Sequence, residues 1–170
     1  MADGDWKLLA VIGVVGWLSS NYILQYADYR GKYIEEIRKA HGEFLESASE
    51  VALRFGDLEK ARAERDQPKL PSSKESLDAA YRKMNAVYWG RSVLFGNRSV
   101  EKCIRKIRDT ARDYYDGTTT LGDDGRVSDS IIEILIKAGS GMREYYENEQ
   151  SNRINPLHGY FGSRTYCDFD

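Results

Sequence analysis

Residues 8–27 read LLAVIGVVGWLSSNYILQYA. These positions carry no charge, in a chain of 170 residues that is 31% charged. A helix of that length is about 30 Å long, the thickness of a bilayer's hydrocarbon core. A segment in lipid must satisfy its own backbone, so an apolar run of this length predicts a helix that spans. Ser19, Ser20 and Asn21 interrupt the apolar character, and each needs a partner if it lies in lipid. The competing reading is the buried core helix of a bundle.

The flanks favour the membrane. Trp6 stands at one end and Tyr22, Tyr26, Tyr29 and Tyr33 at the other. Steps of four, three and four place the four tyrosines on one helix face, suited to an aromatic belt at the headgroups. The segment before the run holds Asp3, Asp5 and Lys7, and no small-x-small cleavage site follows, so an uncleaved anchor fits better than a signal peptide. Arg30, Lys32, Arg38 and Lys39 follow the run. The positive-inside rule then puts the N-terminus outside and the body in the cytoplasm. Gly13, Gly16 and Ser20 share a face on which two anchors can approach closely.

Beyond the anchor, Ile34, Ile37, His41, Phe44, Ala48, Val51, Phe55 and Leu58 recur at steps of three and four. That seam predicts one helix continuing out of the membrane to about residue 66, as a coiled coil or the spine of a bundle. Pro68 and Pro71 are expected to stop it. A second helix is expected from Ser72, with Glu75 completing a capping box, along Leu77, Tyr81, Met84, Tyr88 and Leu94 to Gly96 and Asn97. A third is expected over 99–115, with Val100, Cys103, Ile104, Ile107, Ala111 and Tyr114 inward and Asp116-Gly117 closing it. A fourth opens at Ser128 with Ile131, Ile132, Leu135, Ala138, Met142 and Tyr145, weakened by Gly139-Ser140-Gly141. No segment alternates with strand period. The fold expected is all-α: an anchor over 1–27, an up-and-down bundle of about four helices over 28–150, and an irregular tail over 151–170.

Charge supports that packing. Residues 28–66 hold eight basic and ten acidic side chains, residues 74–112 ten and four, and residues 113–170 five and eleven. A basic middle between acidic flanks is self-complementary. The formal net charge of −2 excludes a generally basic nucleic-acid binder. Two distant cysteines, Cys103 and Cys167, argue against a disulfide framework or a zinc site, leaving Cys103 as an inert core thiol. No phosphate loop, nucleophile elbow or HExxH is present, and no cofactor is expected.

Arg98, Lys102, Arg105, Lys106, Arg108 and Arg112 crowd the third helix against Glu101 and Asp109. The plain reading is a solvated face paired with the acidic helices; near a membrane it is also a surface for anionic lipid or a partner. Without aromatics on the stretch, nucleic acid is disfavoured. His41 lies within the seam and reads as packed core. Asp123-Asp124-Gly125 reads as a turn. Arg153-Ile-Asn-Pro-Leu-His158 resembles the Arg-x4-His ribonuclease motif of the HEPN helical-bundle family. The resemblance implies a phosphate-stabilising Arg153 and a proton-shuttling His158. It covers six residues, has Ile154 where that family favours a polar residue, and contains Pro156, which breaks a regular helix.

The expected function is binding: a single-pass protein whose cytoplasmic bundle meets a protein partner or a second copy of itself. Tyr160, Phe161 and Tyr166 in the tail are candidate docking residues. Two alternatives stand beside it, the HEPN-like ribonuclease and a membrane-perturbing effector assembled through its anchor.

Overall fold

The computed structural model describes residues 5–92, 98–117 and 126–152, without the side chains of 5–15, 18, 91, 92, 98 and 99. Every described element is helical: α1 (Asp5–Ala63), α2 (Lys69–Val87), α3 (Arg98–Tyr115) and α4 (Val127–Ser151). A single π-helical turn, Tyr88–Ser92, extends α2.

The helices run alternately up and down. Lys83 Nζ on α2 lies 2.9 Å from Glu50 on α1, and Tyr88 packs on Phe44 at 6.0 Å between ring centroids. Those pairings set α2 antiparallel to α1. Tyr115 donates to Asp78 at 2.9 Å, while Arg108 reaches Tyr88, so α3 is antiparallel to α2. The α4 helix returns along α1, from Glu59 beside Val127 to Arg30 beside Glu149.

The predicted seam is the core. Ile34, Ile37, His41, Phe44, Ala48, Val51, Phe55 and Leu58 are all buried. They meet Leu77 and Met84 of α2, Val100, Ile104 and Ile107 of α3, and Ile131, Ala138 and Met142 of α4. Burial of each large apolar side chain contributes about 1.5–3 kcal/mol. Helical periodicity is local, so a stripe at that spacing forms a face whatever covers it.

Boundaries differ from expectation for identifiable reasons. The α1 helix stops before either proline, in paired bonds from Arg65 N–H to Arg62 C=O at 3.2 Å and from Asp66 N–H to Ala61 C=O at 3.0 Å. Arg65 supplies the left-handed residue that closes such an end, with φ of 53°, in a position glycine usually fills. The α2 helix begins at Lys69 and carries Pro71 in its first turn, where an amide hydrogen has no intrahelical partner anyway. The expected capping box is not made; Ser72 Oγ bonds back to Lys69 C=O at 2.9 Å. The α3 helix closes at Gly117 with φ of 69°, as expected. The α4 helix runs unbroken through Gly139-Ser140-Gly141, because Ala138, Gly141 and Met142 are buried in the bundle. Ile132 belongs to the exposed side of α4, not its core stripe.

Two expectations need revision. Among the described residues no helix is long and apolar enough to cross a membrane. From Gly16 onward the run is diluted by Ser19, Ser20, Asn21 and Gln25. Leu8–Val15 and Leu18 lie outside the described side chains, although the backbone is helical throughout. Cys103, read as a free core thiol, is buried and disulfide-bonded. The sequence's other cysteine, Cys167, lies outside the described residues.

Candidate functional site

The candidate surfaces lie toward the end of the bundle from which α1 projects. Glu149 of α4 pairs with Arg30, and α4 ends two residues later. About 25 residues of α1, some 37 Å at 1.5 Å per residue, extend past that point. Trp17, Tyr22 and Leu24 are 64%, 70% and 67% exposed, and Ile23, Tyr29 and Tyr33 are also exposed. Tyr26 departs from its expected belt role: it is half-buried, and Arg30 Nη1 donates to its hydroxyl at 3.3 Å. Gly16 has open space where a Cβ would project, and Ser20 is exposed. The side chain of Trp6 and any Cβ space at Gly13 lie outside the described residues.

The basic residues of α3 are largely occupied by their own helix, not by α1 and α4 as charge arithmetic suggests. Arg105 pairs with Glu101. Arg108 pairs with Asp109 at 2.6 Å. Arg112 reaches Asp113 at 3.1 Å and Asp109 at 3.6 Å. Arg105–Glu101 and Arg112–Asp109 are spaced by four and three, where partners meet on one helix face. Arg108–Asp109 and Arg112–Asp113 join sequence neighbours, and exposed pairs of this kind are worth a few tenths of a kcal/mol each. Lys102 and Lys106 are exposed and make no ion pair among the described residues. The side chain of Arg98 is outside them. Arg108 lies 4.3 Å above the Tyr88 ring and 5.4 Å from the Trp89 ring, a pairing of separate helices that no local pattern signals. Aromatics absent from the basic stretch arrive from the π-helical turn that ends α2, a deviation frequent at functional sites.

His41 is where the structure adds most. It is buried in the seam as expected, and its Nδ1 shares a 2.5 Å hydrogen bond with the hydroxyl of Tyr146. Burial, with a smaller contribution from Tyr145, holds the Tyr146 hydroxyl above the ordinary tyrosine range. Tyr145 faces the core and Tyr146, one residue on, turns toward α1. A cleft of about 480 Å³ opens above this pair between α1 and α4, with Arg38, Arg143, Glu147 and Gln150 at its mouth. Gly42 and Gly139 lie on facing helices of the cleft, and no atom stands within 4 Å of a Cβ placed on either. The cleft exists because both helices omit a side chain there. His41 has no exposed surface and lines the cleft beside Tyr146.

The tail candidates Tyr160, Phe161 and Tyr166, the HEPN-like pair Arg153 and His158, and Asp123-Asp124-Gly125 lie outside the described residues. No cluster able to hold a metal occurs among the described residues. Compared with known proteins, the chain matches no family model, no curated protein and no solved structure.

Proposed function

We propose that this protein works by binding, as a four-helix bundle held at a bilayer by the projecting half of α1. One observation carries the reading: Trp17, Tyr22, Ile23 and Leu24 are all exposed, on a stretch that α4 does not reach. Exposed apolar side chains grouped in this way mark contact with lipid or protein. The absence of charge over 8–27 and the exposed tyrosines at the charged end of the run favour lipid. The second reading is pairing with another copy along the Gly16 and Ser20 face, supported by the open space at Gly16.

Two signals bear on orientation and they oppose each other. The basic residues after the run favour a cytoplasmic bundle. The disulfide at Cys103 favours an oxidising compartment. Labelling an introduced cysteine at Ser49 from either side of sealed vesicles reads the orientation directly.

Alkaline carbonate extraction, combined with chemical crosslinking, tests the proposal on full-length protein. Retention in the membrane pellet supports anchoring. Release into the supernatant with crosslinked dimers transfers the function of α1 to self-association. Release as a monomer removes both readings.

A further inference from the structure

The cleft over His41 and Tyr146 does not end at Leu45. Leu45 also borders a second cavity of about 420 Å³, walled by Leu45, Ser49, Leu53, Ile132, Leu135 and Ile136. The two form one groove between α1 and α4. From Gly42 to Leu53 it runs about 16 Å at the helical rise per residue. Its two ends differ in chemistry. The trough is apolar apart from Ser49, and Leu53 and Ile136 stand 65% and 68% exposed along it. Such residues scattered singly mean little, but a contiguous apolar trough between two helices is a binding surface.

The other end presents cations. Arg38 from α1 and Arg143 from α4 stand at the mouth, with Glu147 the carboxylate among the residues lining it. Arg143 makes no ion pair among the described residues. Arg38 pairs at 3.1 Å with Glu35, with both side chains more than half exposed, a contact that water screens and a ligand readily displaces. Guanidinium groups suit carboxylate and phosphate through paired hydrogen bonds. One end recognises an anion and the other an apolar chain, and the glycines keep the space between them open.

We propose that this groove binds a single-chain anionic amphiphile. Its carboxylate or phosphate head lies between Arg38 and Arg143, and its chain runs past Leu45 along Leu53, Ile132 and Ile136. The proposal stands independently of the anchoring reading, since the groove belongs to the bundle and not to the projecting half of α1.

Full-length protein in zwitterionic nanodiscs is photolabelled with a diazirine analogue of dodecanoic acid, and the labelled peptides are mapped by mass spectrometry. Labelling is expected on peptides containing Leu53 and Ile136. Dodecanoate or dodecyl phosphate should compete it away, and dodecyltrimethylammonium should not. Stronger competition by dodecyl phosphate assigns a phosphate head, and stronger competition by dodecanoate a carboxylate. Arg143→Gln, a surface change, should weaken labelling roughly ten-fold or more through loss of a charge-assisted bond. Gly42→Leu, which meets no neighbour within 4 Å of its Cβ, should abolish labelling with the helical circular dichroism unchanged. Labelling confined to residues 5–27, equal competition by the cationic amphiphile, or wild-type labelling of either variant overturns the proposal.

Discussion

Replacing Tyr146 with phenylalanine removes one hydroxyl from the seam between α1 and α4. In the folded chain that hydroxyl bonds to Nδ1 of the buried His41 at 2.5 Å. Losing one partner of a buried pair costs about 1–3 kcal/mol. For a chain of this size each kcal/mol moves Tm by about 2–4 °C, so the variant should melt roughly 2–12 °C lower. The pH dependence is the sharper test. The folded pKa of Tyr146 is raised, so the folded chain keeps a proton that the unfolded chain releases. The stability this contributes is complete below about pH 10 and is lost as pH rises toward the folded value. The gap between wild type and Tyr146→Phe should therefore narrow above about pH 10, by up to about 1.4 kcal/mol per pH unit. Other tyrosines and lysines titrate in both proteins, so the difference isolates this hydroxyl. Urea unfolding followed by circular dichroism, at steps between about pH 7 and 10.5, measures it. A gap that is absent at neutral pH, or unchanged across about pH 10, refutes the reasoning.

Glu59 of α1 caps the N-terminus of α4 from outside that helix: it accepts from Val127 N at 2.6 Å and from Ser128 Oγ at 2.8 Å. Glu59→Ala is expected to lose about 1–2 kcal/mol in urea unfolding, and Asp57→Ala on the exposed face less than about 0.5. Met84→Ala, in the core between α1 and α2, should cost about 2–5 kcal/mol by the same assay. Arg65→Gly should raise stability by about 1 kcal/mol by relieving the positive φ, visible as a higher urea midpoint. Protein unfolded without reductant should take up no alkylating label, and two labels after reduction, if the bond at Cys103 is to the chain's other cysteine.

Much of the fold was legible because helix formation and stripe burial are local. Eight seam positions from Ile34 to Leu58 could be listed from spacing alone, and all are buried. The α3 stripe and its close at Gly117 were equally legible, since a left-handed glycine after an apolar stripe is a signal within one turn. The candidate site was not, because it depends on which faces meet. His41 read as packed core, correctly, but its partner lies 105 residues away on α4. Tyr145 and Tyr146 are adjacent in sequence, and only the packing of α4 decides that the first enters the core and the second meets His41. Gly139 read only as part of a stretch that weakens its helix; facing Gly42 across the packed helices, it opens a cleft. Charge sums suggested that α3 would pair with its neighbours, whereas contacts within the helix took precedence because they are closer.

By itself the sequence determined an all-helical chain, a first helix that carries an uncharged run into a core seam, and a bundle in which later helices cover that seam. Those features follow from composition and a 3.6-residue period, which act within a few turns. Tertiary structure alone decided the direction of each helix, the cap that Glu59 lends to α4, the cation over Tyr88, and the groove from Arg38 to Ile136. Each of these joins side chains far apart in sequence, and no local pattern encodes a distance that forms only when the helices pack.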